Sequence, residues 1–200
     1  MKKVLVIGSS GLLGSAIVNA LSKNYEVIEA SKSSSLNPVD ISNPQDLKEL
    51  FKKIGKVDSM ICTAGQVRFN GLTQATDDDW QHGLSNKLMG QINVVRFGTE
   101  SMNHGGSILL TTGILSQYPM PGSSIVTAVN AGVEGFVKAA ALELKGKIRV
   151  NAISPGWVTE TLEKMKMDTT PGTPASEVAL AYLTLMNSNL TGEIKVVAKG

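Results

Sequence analysis

The stretch VLVIGSSGLLG, Val4 to Gly14, decides the fold. Val4 to Ile7 is a short apolar run, mostly β-branched, which suits a buried strand. It ends in Gly8, and Leu12 to Leu21 follows with apolar residues at helical spacing. Between them, Gly8, Gly11 and Gly14 stand three apart. A chain leaving a strand for a helix needs a sharp turn, then a bare backbone, then close contact between helix and sheet. The helix N-terminus offers unpaired N–H groups and a partial positive charge, which suits a pyrophosphate. A tight turn without a ligand would use the same glycines, but their place between strand and helix favours phosphate binding.

Outward from this turn, strands alternate with helices. Tyr25 to Glu29 reads as a second strand, Ser31 to Asn37 as a polar loop, and a brief extended piece surrounds Val39. Pro44 opens a helix, since proline suits the first helical turn. Val57 to Thr63 is a strand apolar on both faces. Thr76 is an N-cap with acidic residues behind it, opening a long helix that ends before His104-Gly105-Gly106. Ser107 to Thr112 is a strand, Gly122 to Leu144 a helix, Ile148 to Ile153 a strand, Pro174 to about Met186 a helix and Glu193 to Val197 a final strand. Short, largely apolar strands between helices signify a parallel sheet covered on both faces. The expectation is an α/β, Rossmann-type doubly wound sheet of about seven strands, in one domain spanning residues 1–200.

Composition narrows the function. The net charge is +2, 18% of residues are charged, and no basic block occurs, which argues against nucleic acid and membrane surfaces as partners. A single cysteine, Cys62, excludes a disulfide framework within one chain and points to the cytoplasm. The start MKKVLVIG mimics a signal peptide, but its apolar run stops at Gly8, too early for export. No apolar segment reads as long enough to span a bilayer. His82 and His104 are isolated, and without clustered His, Cys or carboxylates no metal site is expected.

The second strand should end beside an adenosine ribose. An acidic residue there would bind the 2′-hydroxyl and select NAD. Glu29 lies within that strand, whereas Ala30, Ser31 and Lys32 follow it. A hydroxyl plus a cation suits a 2′-phosphate, so NADP is favoured over NAD. Asp40 either closes the adenine side of the site or forms an Asx-turn before the Pro44 helix.

These residues stand in a recognisable order. The chain resembles the short-chain dehydrogenase/reductase superfamily over essentially its whole length. The resemblance rests on GSSGLLG, the aspartate of VDIS, CTAG where the family usually has NNAG, and above all NAGVEGFVKAAALEL followed by IRVNAISPGWV. It implies a nucleotide site around Gly8, Ser10, Gly11, Leu13, Gly14, Ser31, Lys32, Asp40, Ile41, Ala64, Gly65, Pro155 and Gly156. It also implies hydride chemistry on carbonyls or alcohols, and a homodimer or homotetramer paired through the Thr76–Met102 and Gly122–Leu144 helices. The segment from Trp157 to the last helix, which usually holds the substrate lid, is reduced.

The family's usual catalysis uses a serine, a tyrosine four residues before a lysine, and an asparagine on the preceding helix. The tyrosine exchanges a proton with the substrate oxygen, and the lysine lowers its pKa from about 10. Here the serine position falls on Gly113, the tyrosine position on Val126, the lysine position on Asn130 and the asparagine position on Lys87. The tyrosines Tyr25, Tyr118 and Tyr182 are followed four residues on by Glu29, Gly122 and Met186, so no tyrosine-x-x-x-lysine exists. Three residues are candidates to replace the lost set. Lys87 can serve as proton donor or anion-gripping cation, or be a surface or interface lysine. Thr112 can offer a hydroxyl, or bond the backbone. Asn130 can bond a ribose, or be an ordinary helix amide. Tyr118 is a remote acid candidate, with Ser116 and Gln117 in its loop. Trp157 should wall the nicotinamide pocket, Thr159 or Thr161 contact the carboxamide, and Met165, Met167 and Met186 fill the core or a lid. Two functions remain open: an NADP-dependent oxidoreductase with an atypical site, or a catalytically inactive NADP(H)-binding sensor or scaffold.

Overall fold

The computed structural model describes residues 1–199. Six parallel strands form one sheet: β1 Lys3–Ile7, β2 Glu26–Ala30, β3 Val57–Cys62, β4 Met102–Thr111, β5 Arg149–Pro155 and β6 Ile194–Val197, in the spatial order β2-β1-β3-β4-β5-β6. Successive side chains of a strand face opposite ways, and each face buries its own core. Leu5, Ile7, Met60, Ile108, Leu110 and Val150 meet helices α2 Pro44–Ile54, α4 Gly90–Gly98 and α5 Ser124–Glu143. Val4, Val6, Ile61, Leu109 and Ile153 meet helices α1 Leu12–Leu21 and α7 Ala175–Met186. Helices on both faces of a parallel sheet make the doubly wound α/β architecture expected. The strand order reverses between β1 and β3, since β1 pairs with β2 on one side and β3 on the other. Ligands bind beyond the carboxyl ends of strands at such a point.

Four details correct the expectations. The extended piece at Val39 is no seventh strand: it makes a single parallel bridge, Ser31 to Pro38. Pro38 has no N–H to donate to a ladder, and Ser34, Asn37 and Val39 bond locally into the Ser31 loop instead. β4 starts at Met102 rather than Ser107, because a register shift between Val57 and Ser59 and a positive φ of 78° at Gly105 carry the strand through His104-Gly105-Gly106. The long helix after Thr76 is divided into α3 Asp77–Gly83, a π-helical segment Leu84–Met89, α4 and a 3₁₀ turn Thr99–Ser101. Its start is as expected: Thr76 and Asp79 form a reciprocal capping box. Finally, α5 reaches 20 residues with a mean hydropathy of 1.4 over its most apolar window, long and apolar enough by composition to cross a membrane. Its apolarity comes from alanines and from valines that pack on the sheet, with Val129, Val133 and Val137 fully buried.

After β5 the chain makes the short helix α6 Thr159–Lys164. The Glu160 carboxylate turns back to accept the Ala175 N–H with both oxygens, at 3.1 and 3.0 Å, and so caps α7. The segment from Met165 to Thr173 crosses between them, with Met165 and Met167 exposed.

Candidate active site

Two cavities lie side by side at the carboxyl end of the sheet and share Gly65. The first, of about 250 Å³, is lined by eight of the residues expected from sequence: Gly8, Ser10, Gly11, Ser31, Lys32, Ile41, Ala64 and Gly65. Its floor is shaped by glycine. Gly8 has a φ of 90°, and a Cβ there would lie 2.7 Å from the Ala64 nitrogen. A Cβ at Gly14 would overlap the Gly8 carbonyl oxygen. Gly11 is the N-cap of α1 and no side chain caps that helix, so its first N–H groups are free for an anion. These features fit a dinucleotide's phosphates. Gly14 therefore acts through packing, and Leu13 packs against the α1/α7 core rather than lining the cavity.

On one side of this cavity a chain of hydroxyls links the glycine turn to the end of β2. Ser33 Oγ donates to Ser10 Oγ at 3.2 Å and lies 3.4 Å from Ser31 Oγ. Lys32 pairs with Asp40 at 2.7 Å and is largely exposed. Asp40 forms the Asx-turn, accepting the Ser42 N–H at 2.9 Å, and pairs with Lys32 instead of lining the cavity. Burial works against its ionised form, but the hydrogen bonds from Lys32 and Ser42 prevail and hold its carboxyl below the usual range. Thr63, Gln66 and Asn86 also line this cavity. None of the three stands out in the sequence; Asn86 Oδ1 accepts the Gln66 N–H at 2.7 Å and pins the π-helical segment to the loop after β3.

The second cavity, of about 410 Å³, brings together Lys87, Thr112, Gly113, Val126, Asn130, Pro155, Gly156, Trp157 and Thr161. Thr161 rather than Thr159 lines it. Tyr118 does not, and is 68% exposed. Lys87 Nζ donates to the Thr112 carbonyl oxygen at 3.3 Å, and Asn130 Nδ2 to the next carbonyl, that of Gly113, also at 3.3 Å. The cation from the π-helical segment and the amide from α5 thus both reach the end of β4. Two glycines make room for them. A Cβ at Gly65, whose φ is 141°, would meet Lys87 Cγ at 2.9 Å, and a Cβ at Gly113 would meet Asn130 Nδ2 at 3.0 Å. Asn130 Oδ1 is buried and has no hydrogen-bond partner.

Desolvation pushes the Lys87 ammonium down to about 8. Cys62 beneath it gives little compensation, because burial pushes that thiol up to about 12 and keeps it neutral. The Thr112 hydroxyl is committed elsewhere: it donates to Glu134 Oε1 at 3.1 Å, as does Ser116 Oγ at 2.6 Å. The Thr112 hydroxyl also lies 3.4 Å from the Ile153 carbonyl oxygen, the backbone-bonded form of the two considered, so towards Lys87 the residue presents its carbonyl. Glu134, one turn beyond Asn130 on α5, escapes a sequence reading because its partners lie 18 and 22 residues away.

The chain is similar to known proteins in sequence and in fold. A family model described as enoyl-(acyl carrier protein) reductase matches residues 12–200. Carbonyl reductase family member 4 of Xenopus tropicalis is 30% identical over 230 aligned positions, covering 100% of this chain and 97% of the relative. A 3-oxoacyl-[acyl-carrier-protein] reductase of Thermotoga maritima is 31% identical over 135 residues, 64% of this chain and 55% of the relative's length. The crystal structure of protein lin1944 from Listeria innocua superposes with a TM-score of 0.94 at 37% identity, covering 98% of this chain and 100% of that one. A small-chain dehydrogenase in complex with NADPH superposes at 0.89 with 27% identity, covering 98% and 96%. The chain belongs to the short-chain dehydrogenase/reductase superfamily.

Proposed function

We propose that the protein is an NADP-dependent oxidoreductase in which Lys87 takes over the work of the missing tyrosine–lysine pair. The observation that carries this reading is the ammonium at the end of β4, inside a cavity whose wall at the tyrosine position is Val126. Gly8, Gly11 and the α1 N-terminus hold the pyrophosphate, and Ser10, Ser31 and Lys32 meet the 2′-phosphate. The reduced nucleotide, when bound, supplies a hydride. Lys87 meets the negative charge that develops on the substrate oxygen and gives it a proton, as an acid whose pKa lies near working pH is suited to do. Glu134 fixes the Thr112–Ser116 segment whose carbonyls orient Lys87 and Asn130.

The NADPH-bound relative and the hydroxyl-and-lysine end of β2 support NADP over NAD. Calorimetric titration with NADPH and NADH, followed by a panel of activated double bonds, quinones and carbonyls, tests the proposal. NADPH should bind more tightly, and Lys87→Gln should lower turnover by roughly 10²–10⁴-fold with little change in nucleotide affinity. Turnover unaffected by Lys87→Gln, or the absence of turnover throughout, would reject it. A second reading, a nucleotide-binding sensor, is favoured by the committed Thr112 hydroxyl and by Val126; tight NADPH binding without any turnover is its signature.

A further inference from the structure

The larger cavity is electrostatically unbalanced. Lys87 is the one ionisable residue on its walls, and it makes no ion pair among the described residues. Two titratable groups approach from the surrounding elements. Cys62 on β3 stays a neutral thiol, and the Glu134 carboxylate on α5 is taken up by the Thr112 and Ser116 hydroxyls. A partly buried cation without a counter-ion is costly, and an anionic ligand offsets that cost. An ammonium also has three N–H donors. The Thr112 carbonyl takes one of them, leaving two for a ligand. Elsewhere the walls are mostly apolar, with Val67, Phe69, Leu115, Val126 and Trp157 around the cation.

We propose that the substrate is an apolar 2-oxo acid, whose carboxylate and adjacent ketone oxygen both accept from the Lys87 ammonium while its hydrocarbon group lies against Phe69, Val126 and Trp157. A lone cation calls for one negative charge, and two free donors on one nitrogen match two oxygens on adjacent carbons. The inference rests on the reductase reading above. In the reaction the keto carbon gains a hydride from the bound reduced nucleotide, the C=O π bond breaks, and the oxygen takes a proton from Lys87. The products are the 2-hydroxy acid and oxidised nucleotide, and solvent returns the proton to Lys87. Before the transfer the carboxylate rests on the ammonium, so substrate binding and charge compensation are one contact.

The test compares benzoylformate, its methyl ester and acetophenone, by calorimetry on the NADP⁺-loaded protein and by NADPH oxidation. Benzoylformate should bind at least about tenfold more tightly than the neutral ester at pH 7. That advantage should fade as pH rises past 8, disappear in Lys87→Met and persist in Lys87→Arg. Equal binding of ester and acid, or a preference for the acid that survives Lys87→Met, overturns the proposal. Charge-dependent binding without turnover upholds the ligand class and rejects the reductase reading. Turnover of neutral ketones without preference for the acid does the reverse. Failure to bind any nucleotide overturns both.

Discussion

The two cavities that meet at Gly65 are built from different materials. The smaller cavity is largely backbone: glycine conformations, a free helix end and a turn off a strand. The larger cavity is made by side chains that reach across from two helices onto two consecutive carbonyls. A backbone site depends on a few positions where only glycine fits. A side-chain site depends on the space its neighbours leave, here the room that Gly65 and Gly113 give to Lys87 and Asn130.

Three substitutions probe this contrast. Gly14→Val drives a side chain into the Gly8 carbonyl. It should abolish NADPH binding and destabilise the fold by about 1–3 kcal/mol or more, seen in calorimetry and thermal unfolding. Retained binding in a destabilised protein would place the phosphates elsewhere.

Next comes Lys87→Met, which should stabilise the protein at neutral pH by up to about 3 kcal/mol. Folding lowers the Lys87 pKa from 10.5 to about 8. Below pH 8 both states are protonated, and the folded state bears the cost of a desolvated charge. Between 8 and 10.5 the unfolded chain binds more protons, so wild-type stability rises with pH across that window. The advantage of the variant should therefore be largest below pH 8 and vanish towards 10.5. A variant less stable than wild type at pH 7 would show that Lys87 serves packing.

Smallest is Lys32→Ala, which should weaken NADPH binding roughly tenfold and leave NADH almost unchanged. Equal losses for both nucleotides would remove the 2′-phosphate from the role assigned to Lys32.

The sequence revealed the fold well because a parallel sheet buries continuous apolar runs, and those runs at β1, β3 and β5 admit few other readings. The glycine turn between β1 and α1 is equally legible, since its glycines are local. What escaped was non-local or conformational. Glu134 looks like a helix-surface carboxylate until folding sets the Thr112 and Ser116 hydroxyls beside it. His104-Gly105-Gly106 reads as a helix-ending turn, yet the register shift lets β4 pass through it. At Val39 a run too short to hold a ladder imitates a strand. Thr112 shows the limit of counting positions: its place beside the cavity was foreseen, but the use of its hydroxyl depended on a partner from another helix.

The π-helical segment Leu84–Met89 carries Lys87 towards the end of β4. Such a segment amounts to one extra residue wound into a helix, and one residue corresponds to a rotation of about 100°. Removing Leu88 or Met89, with α4 held on the sheet, would shift the preceding residues by one position and turn a different side chain towards the cleft. Asn86 immediately precedes Lys87, so the choice between amide and cation at this site is also a choice of helical winding. A deletion of one codon, with no substitution, would then be enough to change the chemistry on offer.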